Sequence, residues 1–476
     1  MRNNRLSKLS AIVCMTLLPI GARGINISIV TSAKADSTYL VEQTESTSLK
    51  GVKGGLVVCL FPEIKYQTFY GFGTSMSDAN AEAAMQLSPQ KRKEAVRLLF
   101  SKNDGNGYVF CRVPMGSNDF STCDYSCVEK EDKQLSTFNI NQDKKHILPI
   151  LNIAKSFSKE LRLLVSPWSP PAYIKTNGKR INGGKLKPEY RSQWAEHFAK
   201  FIKAYTAEGF PTEFVTIQNE PEAVQTWESC IWTGEEEGEF AAKYLRPILD
   251  CNGLGKVKIL FWDHNRVRLL DRAKATLGVQ GAQSALSGIA FHWYEGDAFS
   301  QLRAFHEMYP DMLIMQSEFC TGPNKGRTTM PYGVWNDLEL FGHEIIGDLN
   351  HFTNIIMDFN PFLNTKAGPF HNRTIGGIPN IVVNARSDSF SPQPNYFAMA
   401  HFSRYIRPGA QIILSSCSEE GSGIEVTAAI NTDGSIVCVI LNRSNQNRAT
   451  SLTLSGKKIK DRILLPAHSL TTVNTN

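Results

Sequence analysis

Between Tyr66 and Tyr405 the chain repeats one pattern: a short apolar, β-rich run ending in polar or aromatic residues, then an amphipathic helical stretch. The runs are YQTFYGFG, GYVFCRVPM, LRLLVSP, FVTIQN, KVKILFWD, SGIAFHW, MLIMQSE and FTNIIMDFN, eight in all. Between them, Ser88-Pro89 starts a helix that runs through EAVRLLF. Trp194, Phe198, Phe201, Ile202 and Tyr205 share one helical face, which Gly209 ends, and Phe240, Tyr244, Leu245, Ile248 and Leu249 form another. These stripes read as core and need no ligand. From Asp78 to Asp358 the seven intervals average 40 residues per strand–helix unit. Eight near-continuous apolar strands alternating with helices predict an α/β fold, a (β/α)8 TIM barrel over residues 67–408. A doubly wound open sheet is the structural rival; the absence of a Gly-rich phosphate loop after the first run counts against it.

The flanks read differently. Over 409–476 the chain is strand and turn (QIILSSC, GIEVTAAI, IVCVILN, ATSLTLSG), with a hairpin signal at Asp433-Gly434. Residues 36–66 hold similar runs, TYLVEQT and GGLVVCLF. Together they predict an all-β sandwich side domain built from both chain ends.

Composition changes this picture in two places. Apolar residues make up 42 % and charged residues 20 % of 476, an ordinary globular balance. The net charge of +6 is uneven: Arg2, Arg5, Lys8, Arg23 and Lys34, with no acidic residue before Asp36, account for all but one of it. A near-neutral body argues against nucleic acid or an anionic membrane as partner. The basic start, the apolar run LSAIVCMTLLPIG and the small-x-small Ala33-Lys34-Ala35 read as a secretory signal peptide over 1–35, hence a secreted or periplasmic protein. No other stretch approaches the ~20 apolar residues a membrane span needs, so no integral membrane association of the mature chain is expected. Nine cysteines follow residue 35, an odd number that leaves at least one free thiol if no partner chain pairs with it. Several sit in apolar runs and read as small core residues.

In a barrel of this kind the chemistry gathers where strands end. Those ends carry Asn118-Asp119, Pro167-Trp168, Asn219-Glu220, Trp262-Asp263-His264, His292-Trp293-Tyr294, Glu318 and Asp358-Phe359-Asn360. The set is rich in carboxylates and aromatics and poor in phosphate binders. Sugars present flat C–H faces that stack on rings, and hydroxyls that pair with carboxylates and amides. Cleaving a glycoside takes two carboxyl groups flanking the bond, and Glu220 and Glu318 are the natural pair. Each follows an apolar strand directly, a setting that desolvates a carboxyl and raises its pKa. No cofactor or metal is called for: there is no zinc-ligand spacing and no HExxH.

Six segments, GFGTSMSDAN (71–80), RVPMGSNDFS (112–121), SPWSPPAYIKTN (166–177), QNEP (218–221), FHWY (291–294) and QSEFC (316–320), resemble glycoside hydrolase family 30, most of all its glucosylceramidase-like branch. The resemblance runs from about Tyr66 to the C-terminus. It implies hydrolysis of a β-glucoside with retention through a covalent glycosyl–enzyme, on a carbohydrate or glycolipid substrate. It implies Glu220 as general acid/base and Glu318 as nucleophile, with the carboxyls ~5–5.5 Å apart. Asn219 is then expected at the sugar 2-hydroxyl, Asp119 and Trp168 at the far hydroxyls, and His292 and Tyr294 along the site. Arg112 is expected beneath, keeping Glu318 ionised, with Trp227 and Trp335 as aglycone walls. The strand-eight segment departs from the branch: Phe359 stands where a Trp is expected, the turn reads AGPFHNRTI (367–375), and Thr374 replaces a sugar-contacting Asn. This leaves the glycone and aglycone open between a glucosylceramide-like lipid, a glucosyl-oligosaccharide and a β-1,6-glucan. A catalytically silent carbohydrate-binding protein and a host-directed effector or adhesin are the readings from other classes.

Overall fold

The computed structural model of the chain describes residues 26–44, 52–322, 332–371 and 376–475. The eight predicted runs become eight parallel strands: β1 (Gly71–Ser75), β2 (Phe110–Pro114), β3 (Arg162–Ser166), β4 (Thr212–Thr216), β5 (Lys258–Asn265), β6 (Gly288–His292), β7 (Leu313–Glu318) and β8 (Ile355–Asp358). They close into a barrel, β8 pairing with β1 through Ile355↔Gly71 to Asp358↔Thr74. The helix stripes fall where their spacing places them. Pro89–Phe100 begins on its Pro, and Arg191–Ala207 buries Trp194, Phe198, Phe201, Ile202 and Tyr205. Gly209 ends that helix at φ +87°, a conformation that costs a residue with a Cβ.

The barrel interior is layered by the two-residue period of its strands. Phe110, Leu164, Phe214, Leu260, Ala290 and Met315 make an apolar plug. Two residues on, the same strands present Arg112, Ser166, Thr216, His292 and Ser317, all fully buried. The inward face thus turns from apolar to polar at the strand ends.

The flanks form one nine-stranded sheet that folds over a core containing Val58, Leu60, Ile413, Ile440, Leu452 and Val473. Its order is Lys457–Leu465, Arg448–Leu454, Lys53–Phe69, Ala410–Cys417, Ile424–Ile430, Ile436–Asn442, Ser469–Thr475, Ile27–Ala33 and Thr38–Glu42. The boundary expected at residue 35 needs correction. Ile27–Ala33 pairs in full register with Ser469–Thr475, and buried Ser32 Oγ hydrogen-bonds His401 Nε2 at 2.8 Å. A leader removed after Ala35 would take this strand with it. Residues 1–25, the rest of that segment, lie outside the described residues. All nine cysteines after residue 35 are free thiols, and no helix among the described residues is long and apolar enough to cross a membrane.

Candidate active site

Arg112 is the hub of the strand ends. Its guanidinium donates from Nε to Ser166 Oγ (3.1 Å), from Nη1 to Glu318 Oε2 (2.5 Å), and from Nη2 to Asn219 Oδ1 (2.8 Å) and Asp263 Oδ2 (2.7 Å). A fully buried cation is tolerated only when its donors are used, and here they reach four strand ends. The same guanidinium lies 4.6 Å from the Trp168 ring centroid.

Asp263 is the counter-hub. It accepts from Thr216 Oγ1 (2.7 Å), Ser317 Oγ (2.5 Å) and His292 Nε2 (3.1 Å) as well as Arg112. Burial works against its charge, but Arg112 and His292 win and hold its carboxyl far below the usual range. A register shift in β5 at this point and positive φ at Trp262 (75°) and Asp263 (52°) turn the side chain into the network.

The two catalytic candidates meet at one ring. Glu318 ends β7 and also accepts from Tyr294 OH at 2.9 Å. Glu220 follows β4 at φ 44°, its N–H pinned to Asp263 O at 2.9 Å. His292 places Nδ1 3.4 Å from Glu220 Oε1 and Nε2 3.9 Å from Glu318 Oε2. Both ring nitrogens face carboxylates, so the imidazole is held protonated: burial opposes the charge, yet Glu318, Asp263 and Glu220 lift its pKa to about 9. The expectation for Glu220 is corrected here. Burial does push its pKa up, but the hydrogen bond from His292 and the charges of His264, His292 and Arg112 bring it below the ordinary value. Glu220 and His292 thus form a charge pair within hydrogen-bond reach.

Above these groups opens a cavity of about 760 Å³ lined by Asp119, Trp168, Asn219, Glu220, Trp227, Tyr294, Glu318 and Phe359 among others. Phe359 stacks on Trp168 (centroids 6.3 Å, planes 25° apart) and meets the edge of Phe120 at 5.5 Å, with Trp227 against the same cluster. The lining also includes Glu222, Ala223, Gln225, Trp262, His264, Asn265, Arg268 and Glu295. His292 lies beneath the cavity rather than lining it.

Trp335 is the expected site residue that the structure places elsewhere. It begins helix Trp335–Leu349, is 8 % exposed, and stacks on Tyr39 at 5.5 Å, where the sheet meets the barrel. Thr374 lies outside the described residues. Asp263 and His264 were visible in the strand-five ending but had no role assigned by it. Glu220, His264 and His292 are the one group among the described residues with metal-ligand atoms gathered within 4.8 Å. Both nitrogens of His292 are committed to carboxylates, which suits a proton there rather than a cation.

A cavity with an aromatic wall, two carboxylates at its floor and an imidazole between them is the equipment of a glycoside hydrolase. Comparison with known proteins narrows the class. Residues 69–406 match the Glycosyl hydrolase family 30 TIM-barrel domain and 409–473 match the family's beta sandwich domain, so the chain belongs to glycosyl hydrolase family 30. It is 35 % identical over 416 residues to lysosomal acid glucosylceramidase of Mus musculus, covering 84 % of this chain and 79 % of that protein. Among solved structures, SrfJ from Salmonella typhimurium superposes with a TM-score of 0.87 at 29 % identity, over 94 % of this chain and 99 % of the other. An endo-β1,6-glucanase superposes at 0.82 and 25 % identity, with the same coverage.

Proposed function

We propose that this chain hydrolyses a β-glucoside by double displacement. Glu318, oriented by Arg112 and Tyr294, attacks the anomeric carbon. The proton held on His292 passes to Glu220 and from there to the glycosidic oxygen as that bond breaks. A covalent glycosyl–enzyme forms, and the alcohol leaves. Glu220, again a carboxylate, takes a proton from water, whose oxygen attacks the anomeric carbon and frees Glu318, and that proton returns to His292. Asn219, its Oδ1 tied to Arg112, presents its amide N–H to the sugar 2-hydroxyl, and Asp119 with Trp168 takes the far hydroxyls.

The observation that carries this reading is the single network in which Arg112 grips Glu318 while His292 touches both carboxylates under one sugar-sized cavity. A 2-deoxy-2-fluoro-β-glucosyl fluoride should label Glu318, with the mass increase found on the peptide carrying that residue. An adduct elsewhere, or none, overturns the assignment.

Two substrate classes fit: a glucolipid such as glucosylceramide, or a β-linked glucan. The polar part of the cavity lining supports the second, because Glu222, Gln225 and Arg268 offer hydrogen bonds that a sugar can use and an alkyl chain cannot. Similarity to an endo-β1,6-glucanase supports the glucan, and similarity to lysosomal acid glucosylceramidase supports the glucolipid. Turnover of gentio-oligosaccharides well above that of a lipid glucoside is expected; the reverse order favours the glucolipid.

We also propose export, carried by the basic start and the apolar run before residue 22, with removal of the leader ahead of Ile27. N-terminal sequencing of the exported protein tests it: a chain beginning at Asp36 would lack a strand of the sheet and refute the placement.

A further inference from the structure

Outside the catalytic network, a charged cluster adjoins two residues of the cavity lining, Asp119 and Trp227. Glu228 is 1 % exposed, an expensive place for a carboxylate. Its Oε1 accepts a short hydrogen bond from Ser117 Oγ and another from His371 Nε2 at 3.0 Å, with Arg180 Nη1 at 3.8 Å. His371 belongs to the 367–375 segment, where the sequence departs from the glucosylceramidase-like pattern. Its other nitrogen, Nδ1, is 3.2 Å from Ser121 O, and its backbone N–H donates to Asp119 O at 3.2 Å.

Carboxylate and carbonyl oxygens are acceptors only, so satisfying both ring nitrogens requires an N–H on each. We propose that His371, held as an imidazolium, clasps the two loops that carry Asp119 and Trp227, and so positions both walls of the cavity in a proton-dependent way. On one side it grips the Asp119–Ser121 segment by two bonds. On the other it grips Glu228, the residue after Trp227. His371 is thus a positioning residue that acts through Asp119 and Trp227, and the inference rests on the reading of those two as substrate contacts.

The charged groups around the clasp are Glu228, Arg180, which binds Asp124 at 2.5 Å, and Lys175, whose ammonium hydrogen-bonds Ser229 O. Burial opposes the imidazolium, but the bond and charge of Glu228 outweigh it and raise the His371 pKa. Burial likewise opposes the Glu228 carboxylate, while His371 and Arg180 hold its pKa down at about 2. The sign follows. The clasp is complete below the ordinary His pKa of ~6.5 and is lost as pH rises through the raised value.

The test combines kinetics on gentiobiose with a titration that needs no turnover. In wild type, KM should rise along an alkaline limb above pH 6.5. H371A should raise KM roughly tenfold at acid pH, the size of one lost charge-assisted hydrogen bond, with kcat changed less and the limb gone. H371Q, which donates one hydrogen bond without titrating, should recover part of KM and none of the pH dependence. E228Q should move the limb to lower pH. In chain labelled with 13Cε1-histidine, the resonance missing from H371Q should titrate above 6.5 and fall in E228Q. An unchanged limb in H371Q, or a resonance titrating at or below 6.5 and indifferent to E228Q, overturns the clasp. Loss of turnover on every β-glucoside by wild type sinks the hydrolase reading instead, and the titration still decides the clasp.

Discussion

The floor of the cavity and its walls are built on different physics. The floor is made by strand ends: Arg112, Asp263, His292 and Glu318 come from four barrel strands and are locked by direct hydrogen bonds around one guanidinium. The walls are made by loops, and what fixes Trp227, Asp119 and Phe359 is aromatic stacking and side-chain bridges such as Glu228–His371. A floor of this kind cannot be adjusted without leaving a buried charge unpaired. Walls of that kind can be remade by changing a loop. The groups placed for bond cleavage and the groups that shape the cavity are therefore held in place independently.

Mutations at the floor should have the largest effects. Glu318→Gln removes the nucleophile and should lower kcat on an aryl β-glucoside by on the order of 10⁴-fold or more, as loss of a covalent nucleophile does elsewhere; retention of a tenth of the rate would refute the assignment. Arg112→Met strands Glu318 and Asp263 as buried, uncompensated carboxylates. A loss of about 3–5 kcal/mol in denaturant unfolding is expected, and an unchanged midpoint would mean the hub does not bind the floor together.

The proton on His292 sets the alkaline limit of the floor. Its pKa is raised to about 9, so the charged network is intact below the ordinary His value and is dismantled as pH climbs toward 9. The alkaline limb of kcat should lie near 9, apart from the rise in KM that follows His371, and His292→Gln should pull it toward acid; a kcat limb near 6.5 in wild type would contradict the shared proton. At the walls, Trp227→Ala should raise KM for gentiobiose roughly tenfold or less, the cost of one stacking surface, with a smaller change in kcat. Smallest of all, Trp335→Leu should leave KM within about twofold, as for a substitution that touches no substrate, while lowering the melting temperature through its lost contact with Tyr39. A large KM effect there would return Trp335 to the site.

Much of the floor was legible in the sequence because each element announces itself locally. An apolar strand that stops at a carboxylate carries its own signal, which is why Glu220 and Glu318 could be read as strand-end residues, whereas Arg112 was expected only from the family resemblance. What could not be read depends on neighbours far along the chain. Nothing near Glu220 reports that His292, 72 positions later, will hold its carboxyl down. Trp335 looks like any aromatic after a catalytic strand until Tyr39 arrives from the other end to cover it. Ile27–Ala33 alternates like a strand but follows a leader-like run, and its true partner lies at the far terminus.

That last pairing has a consequence for biosynthesis. Thr31 meets Thr471 across 440 positions of chain, so the first strand leaves the ribosome long before the segment that shields its hydrogen-bonding edge exists. Until the final residues arrive, that edge is an open template for wrong pairing. The sheet is finished last although it is begun first, and a late frameshift or a clipped tail would expose the N-terminal strand as surely as deleting it.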